Sequence, residues 1–356
     1  MAAGRTRRPF WAAGPTRFAA LSRGQARIVL ALVALVVLAC FTAIGAPSGD
    51  GPAIGAGAAA IVAAIIDGIR HGGTFYTVAH ATIGGQSGAA TPMPMPILPL
   101  IEAALPGWID LLMLAALIAG AVAAWFVRFR PTLQRGAALV PPMLVAVGAT
   151  RALSDGLVAL PAAWAGALVA LSLAAWRPGR WVEAAAFATI AMLIEPAAAL
   201  YAAIMLLVAL ADGDGREALG WGGALAAFAL AFACHLHAAN GGDLPPVGLL
   251  GLGAMVRASV AATALAALPM LVAAPLAGLA LAGWAAWPDP AGPRVAIVLV
   301  AYAAFLAVVP NGETIARVML VTPILFAGLA LAPDAIGDLV HRALDRRRIT
   351  VTRLTR

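Results

Sequence analysis

Apolar runs close to helix-spanning length recur through the chain, separated by short stretches of Arg, Gly or Pro, and this recurrence constrains the fold more than any motif does. A bilayer core about 30 Å thick takes about 20 apolar residues of α-helix at about 1.5 Å per residue. By that measure ten candidate spans follow, at 28–46, 109–127, 136–150, 157–175, 181–195, 197–211, 218–237, 264–287, 295–309 and 318–333. With 63% hydrophobic and 11% charged residues over 356 positions, the chain has too few polar side chains to coat a water-facing fold. A soluble globular enzyme and a disordered chain are thereby excluded. The expected class is all-α, a polytopic transmembrane helix bundle of about ten spans with the lipid bilayer as its solvent.

All 23 basic residues are Arg, set against 16 acids. They gather at the two ends and in short connections rather than on one soluble face, so no nucleic-acid partner is expected. Six lie in the tract to Arg27 and six in the stretch from Arg342 onward. With a cytoplasmic start and ten spans, 19 Arg fall inside and only Arg70, Arg151, Arg257 and Arg317 fall outside, as the positive-inside rule requires. The chain then divides into a basic cytoplasmic N-tail (1–27), a transmembrane domain (28–333) and a basic cytoplasmic C-tail (334–356). No small-residue cleavage site follows the first apolar run, which reads as a retained helix. Cys40 and Cys234 both sit in apolar runs, where buried, inert thiols are expected.

Two outer segments, 47–107 and 238–263, are too apolar to be plain solvated loops. Ile61, Ile65 and Ile69 repeat every four residues, which predicts an interfacial helix over 54–70. A second short one is expected over 247–258. Between them, Gly72, Gly73, Gly84, Gly85 and the prolines at 92, 94, 96 and 99 are expected to interrupt helix.

Ionisable groups at membrane depth cost roughly 2.5–3.5 kcal/mol on insertion scales. Most of those outside the Arg-rich connections fall on the outer side, including Asp67, His71, His80, Glu102, Asp110, Asp243 and Glu313, so a functional centre should face outward. Glu195, before Pro196 at the turn of a short hairpin, is either an acid reaching into an outer cavity or a carboxylate capping the next helix. His235 and His237 are two residues apart, about 200° on a helix, so they cannot share one metal ion there. Arg151 and Asp155 have i, i+4 spacing and suit a structural ion pair. Asp50 lies in a Ser-Gly-Asp-Gly turn, Asp67 on the solvated face of its helix, and DGDGRE (212–217) in a cytoplasmic turn.

HGGTFYTVA (71–79), PMPILPLIEAALPG (94–107), IEPAAALYAAIMLLVALADGDGREALGW (194–221) leading to His235, WPDPAGPRVAIVLVAYAA (287–304) and PILFAGLALAPDAIGDL (323–339) follow a first helix and a large outer segment. This arrangement resembles bacterial multi-pass glycosyltransferases of the GT-C type. The resemblance implies a GT-C-like fold in the bacterial inner membrane and a sugar taken from a polyprenyl-phosphate carrier, with an outward-facing acid as base on the acceptor. Asp50 and Glu195 are then the catalytic candidates, Tyr76 and His235 substrate contacts, and Arg257 and Arg317 the groups facing the carrier phosphate. No cofactor is implied with certainty, and a divalent metal has no supporting ligand set. In the family's register, Ala58 stands where an acid is expected, Ile97 and Ile194 where Arg is expected, and Ala316 and Arg317 where an aromatic pair is expected. A non-catalytic relative that binds lipid-linked intermediates or scaffolds a membrane complex is the second reading, and a transporter the third.

Overall fold

A computed structural model describes residues 9–46, 56–84, 93–154, 156–240, 251–308 and 317–345. These residues are helical throughout, with isolated bridges at Ala12–Leu133 and Arg177–Arg180. Among the described residues, four helices are long and apolar enough to cross a membrane: α1 (Arg23–Cys40, prolonged by a 3₁₀ turn to Ile44), α5 (Gly107–Phe129), α10 (Gly215–Ala238) and α13 (Ala291–Val308). A fifth candidate is bent by 52°, pairing α14 (Thr322–Leu325) and the 3₁₀ turns to Ala330 with α15 (Ala332–Leu344).

The remaining expected spans form shorter apolar helices, α6 (Val140–Ala149), α7 (Pro161–Ala175), α8 (Val182–Ile194), α9 (Ala199–Ala211) and α12 (Met270–Ala286). The reason lies in their ends. Pro141, Pro161, Pro196 and Pro269 each stand where a helix or 3₁₀ turn begins, a position that tolerates the missing N–H, while α12 also carries Pro275 in its interior. At about 1.5 Å per residue, the 15 residues of α7 reach about 22 Å, less than a bilayer core. Helix α7 is instead buried along nearly its whole length.

Local signals explain where the long helices start. Ser22 and Gln25 form a capping box, each side chain bonding the other's backbone N–H, so α1 begins before the expected position 28. Asp214 caps α10 by accepting the Glu217 N–H at 3.0 Å, and Gly213 supplies the left-handed residue of that turn at φ 77°.

The burial pattern is that of a lipid-solvated fold. Ile28, Leu32, Leu35 and Leu38 run up one side of α1, each more than half exposed, whereas Arg128, Arg294, Glu217 and Ser172 are buried. Gly166 and Gly148 let the backbone at Met319 and Thr322 approach α7 and α6 so closely that a Cβ would strike the carbonyl oxygens. Gly283 and Gly328 do the same between α12 and the last apolar segment. Cys40 is buried as expected, but Cys234 lies on the exposed face of α10.

One end of the bundle is closed by a polar network. Asp334 on α15 accepts the backbone N–H groups of Phe10, Trp11 and Ala12, and Asp338 accepts Thr16 through both its N–H and its hydroxyl. The same N-terminal tract exchanges backbone bonds with Thr132 and Gln134, while Arg17 reaches the Pro288 and Asp289 carbonyls. Arg128 pairs with Asp289 at 2.7 Å and lies over the Trp287 ring. Arg294 pairs with Asp212 at 2.7 Å and stacks on Trp176, whose indole donates to Glu217. The segments meeting here are the ones the Arg distribution groups on one side of the bundle.

Candidate functional site

At the opposite end, α2 (Ala56–Arg70), α3 (Phe75–Gly84) and α4 (Ile97–Ala104) form a helical unit between α1 and α5. The four-residue Ile repeat of α2 faces inward here, with Ile65 buried against Phe75 and Ala79 and with Ile61, Ile69, Val78 and Met93 around them. Gly72, at φ 94°, turns the chain between α2 and α3, and Val78 fills the space beside Gly68 and Gly73. Pro99 does not break α4 as the sequence suggested. It occupies the first turn, where no intrahelical N–H bond is required.

Three polar clusters belong to this end. In the first, Glu195 caps the 3₁₀ turn Pro196–Ala198 by accepting the Ala197 N–H at 3.2 Å, and its carboxylate lies 3.8 Å from the Arg317 guanidinium. The capping reading of Glu195 is thus the one the geometry shows. Tyr302 supports the turn by donating its hydroxyl to the Ala197 carbonyl at 2.9 Å.

In the second cluster, Tyr76 on α3 lies 3.3 Å from His235 Nδ1 on α10, and His235 Nε2 lies 3.4 Å from the Met93 carbonyl. The pair joins the α2–α4 unit to a long helix. His235 is buried and His237 exposed, as their opposed helix faces require.

The third cluster was not singled out by the sequence. Arg70, at the end of α2, donates to the Glu102 and Leu105 carbonyls at 2.6 and 2.8 Å and lies 3.7 Å from the Asp110 carboxylate. Glu102 is only 2% exposed, and among the described residues neither of its carboxyl oxygens has a hydrogen-bond partner. Burial, reinforced by the Asp110 charge and opposed by Arg70, pushes its carboxyl up to about 8. The one signal in the sequence was two acids flanking the Leu-Pro-Gly turn at 105–107, which folds α4 back toward α5.

Arg257, on α11 (Leu252–Ala261), donates to the Ala43 and Ile44 carbonyls at 2.9 and 2.7 Å, so it caps the end of the first span. Asp50, Asp155, Asp243 and Glu313 lie outside the described residues, as does the first part of the helix expected over 247–258. Among the described residues no group of three or more His, Cys, Asp or Glu is placed to hold a metal ion. A small crevice lined by Ile118, Gly148, Ala163, Ala262, Met319 and Pro323 is apolar and contains none of the candidate side chains. Neither family models, nor curated proteins, nor solved structures give a match to this chain.

Proposed function

We propose that the chain is a GT-C-like membrane glycosyltransferase that moves a sugar from a polyprenyl-phosphate donor to an outer-side acceptor in envelope or exopolysaccharide synthesis. The observation that carries this reading is the Glu195–Arg317 pair, an acid and a cation 3.8 Å apart at the end of α8, against which α4 of the outer unit packs. Glu195 takes the proton of the acceptor hydroxyl, the hydroxyl oxygen attacks the anomeric carbon, and the carbon–phosphate oxygen bond breaks toward the carrier. The electron pair of that bond stays on the phosphate oxygen, whose negative charge Arg317 stabilises. Tyr76 and His235 contact the sugar, and Asp50 is the second candidate base.

This function sets a topology. On this reading the short helices count as passes although each is shorter than a bilayer core, because they are packed among the long ones, giving about ten passes with both termini cytoplasmic in a bacterial inner membrane. Reporter fusions after Gly88 and Gly213 should read outside and inside respectively, and an inside signal at Gly88 overturns the arrangement. Membranes bearing the parent should transfer radiolabelled sugar from a polyprenyl-phosphate donor, while Glu195→Gln lowers transfer by about 10²–10⁴-fold, the usual contribution of a general base.

A second reading, a non-catalytic binder of lipid-linked intermediates, is favoured by one observation. Arg257 is spent on the Ala43 and Ile44 carbonyls, and Ala58, Ile97 and Ile194 occupy positions where the resemblance implies polar groups. Donor binding by the parent without transfer, unaltered by Glu195→Gln, decides for this reading.

A further inference from the structure

We infer that Glu102 and Asp110 bind one bare alkali-metal cation in the elbow between α4 and α5. A single nitrogen fixes the geometry of that elbow. Arg70 Nη2 donates to the Glu102 carbonyl at 2.6 Å and to the Leu105 carbonyl at 2.8 Å, and it lies 3.7 Å from Asp110 Oδ2. The start of α5 is thereby held against the end of α4. Three carboxyl oxygens, both of Glu102 and Oδ1 of Asp110, are closed to solvent there with no hydrogen-bond donor among the described residues. Glu102 is 2% exposed and Asp110 5%. Ionised carboxyl oxygens only accept, so a buried group of them without a donor calls for a ligand that brings positive charge. Arg70 does not fill that role for Glu102, because its bond to this residue ends on the backbone carbonyl.

Charge and size choose the ion. Two carboxylates set against one guanidinium leave a single negative charge in excess, which a monovalent ion cancels and a divalent ion would reverse. A proton cancels it too, and burial together with the Asp110 charge raises the Glu102 carboxyl to about 8, so proton and metal ion compete for one place. The enclosed oxygens suit an ion stripped of its water, whereas Mg²⁺ dehydrates reluctantly and keeps several waters. An ion held here fastens three helices at one point, since Arg70 ends α2, Glu102 lies in the last turn of α4 and Asp110 in the first turn of α5.

The test is hydrogen exchange of the full-length chain in neutral detergent at about pH 9, above the range in which Glu102 keeps its proton. Sodium chloride is exchanged stepwise for choline chloride at constant ionic strength. Protection of the α4 amides should rise with sodium, about tenfold once the ion stands at about ten times its dissociation constant. Glu102→Gln should abolish the rise, and its neutral side chain matches the protonated acid in shape, so unchanged protection of α7 should show that the variant is folded. Asp110→Asn should abolish or sharply reduce the rise. Asp67→Asn, which alters an exposed acid on α2, should leave it intact. No rise with sodium, an equal rise in choline chloride alone, or a rise that survives Glu102→Gln overturns the site. A larger rise with magnesium chloride at the same ionic strength overturns the monovalent assignment. Equal losses from Asp67→Asn and Glu102→Gln replace the site with diffuse attraction.

Discussion

Glu102 is the side chain whose chemistry departs furthest from its sequence setting. One cation, Arg70, faces two carboxyl groups, and Arg70 is already bonded to two backbone carbonyls, so one of the acids is held neutral. The sign of the resulting pH dependence follows from the direction of the shift. A carboxyl raised from 4.5 to about 8 contributes stability that is complete below 4.5 and is lost as pH rises through about 8. Hydrogen-exchange protection of α2–α4 should therefore fall across that window, and Glu102→Gln should flatten the profile while leaving the acid-side protection intact. A profile unchanged by Glu102→Gln would assign the effect to another group. Sequence alone identified Glu102 as an outer-side acid but not its burial, because burial arises from the way α4 turns back on α5 and α2. His235 was more readable, since a two-residue spacing on a helix already forces one ring inward and the other outward.

Among the elements, the close backbone approaches to the segment 319–328 are the most sensitive points. Gly166→Ala places a methyl group against the Met319 carbonyl, where neither backbone can yield cheaply. A loss of about 1–3 kcal/mol or more is expected, seen as a lower thermal midpoint and a smaller monodisperse fraction on size exclusion. Gly120→Ala, on α5 with nothing near its Cβ, should be neutral or slightly stabilising. Helix existence was legible from the apolar runs, since the spans read at 181–195 and 197–211 correspond closely to α8 and α9. Helix ends were less so. Ser22 extends α1 upstream of its apolar core, and Pro99 is absorbed into the first turn of α4, because caps and first-turn geometry override the local tendency to break. No periodicity foretells that α7 is buried on all sides, which depends on the glycines that admit its neighbours.

For the molecule as a whole, the distribution of Arg carried information that hydropathy could not. It grouped the connections into two sets before any contact was known, and the segments of one set are the ones bound together by Asp334, Asp289, Asp212 and Glu217. What charge counting could not anticipate is that much of the presumed N-tail is folded, with residues 10–16 held on α15 and against the α5–α6 connection. Asp334→Ala withdraws the acceptor of three backbone N–H groups and should expose Arg17 to trypsin at concentrations that leave the parent uncut. Equal cleavage of both proteins would show that the tract is held by other contacts. The separation of these partners also bears on biosynthesis. Phe10 and Asp334 are 324 positions apart, so the amides of residues 10–12 emerge from the ribosome long before their acceptor is made. Every intervening helix can be threaded into the bilayer while that end of the bundle is still open, and it is the arrival of α15 that fastens residues 10–12.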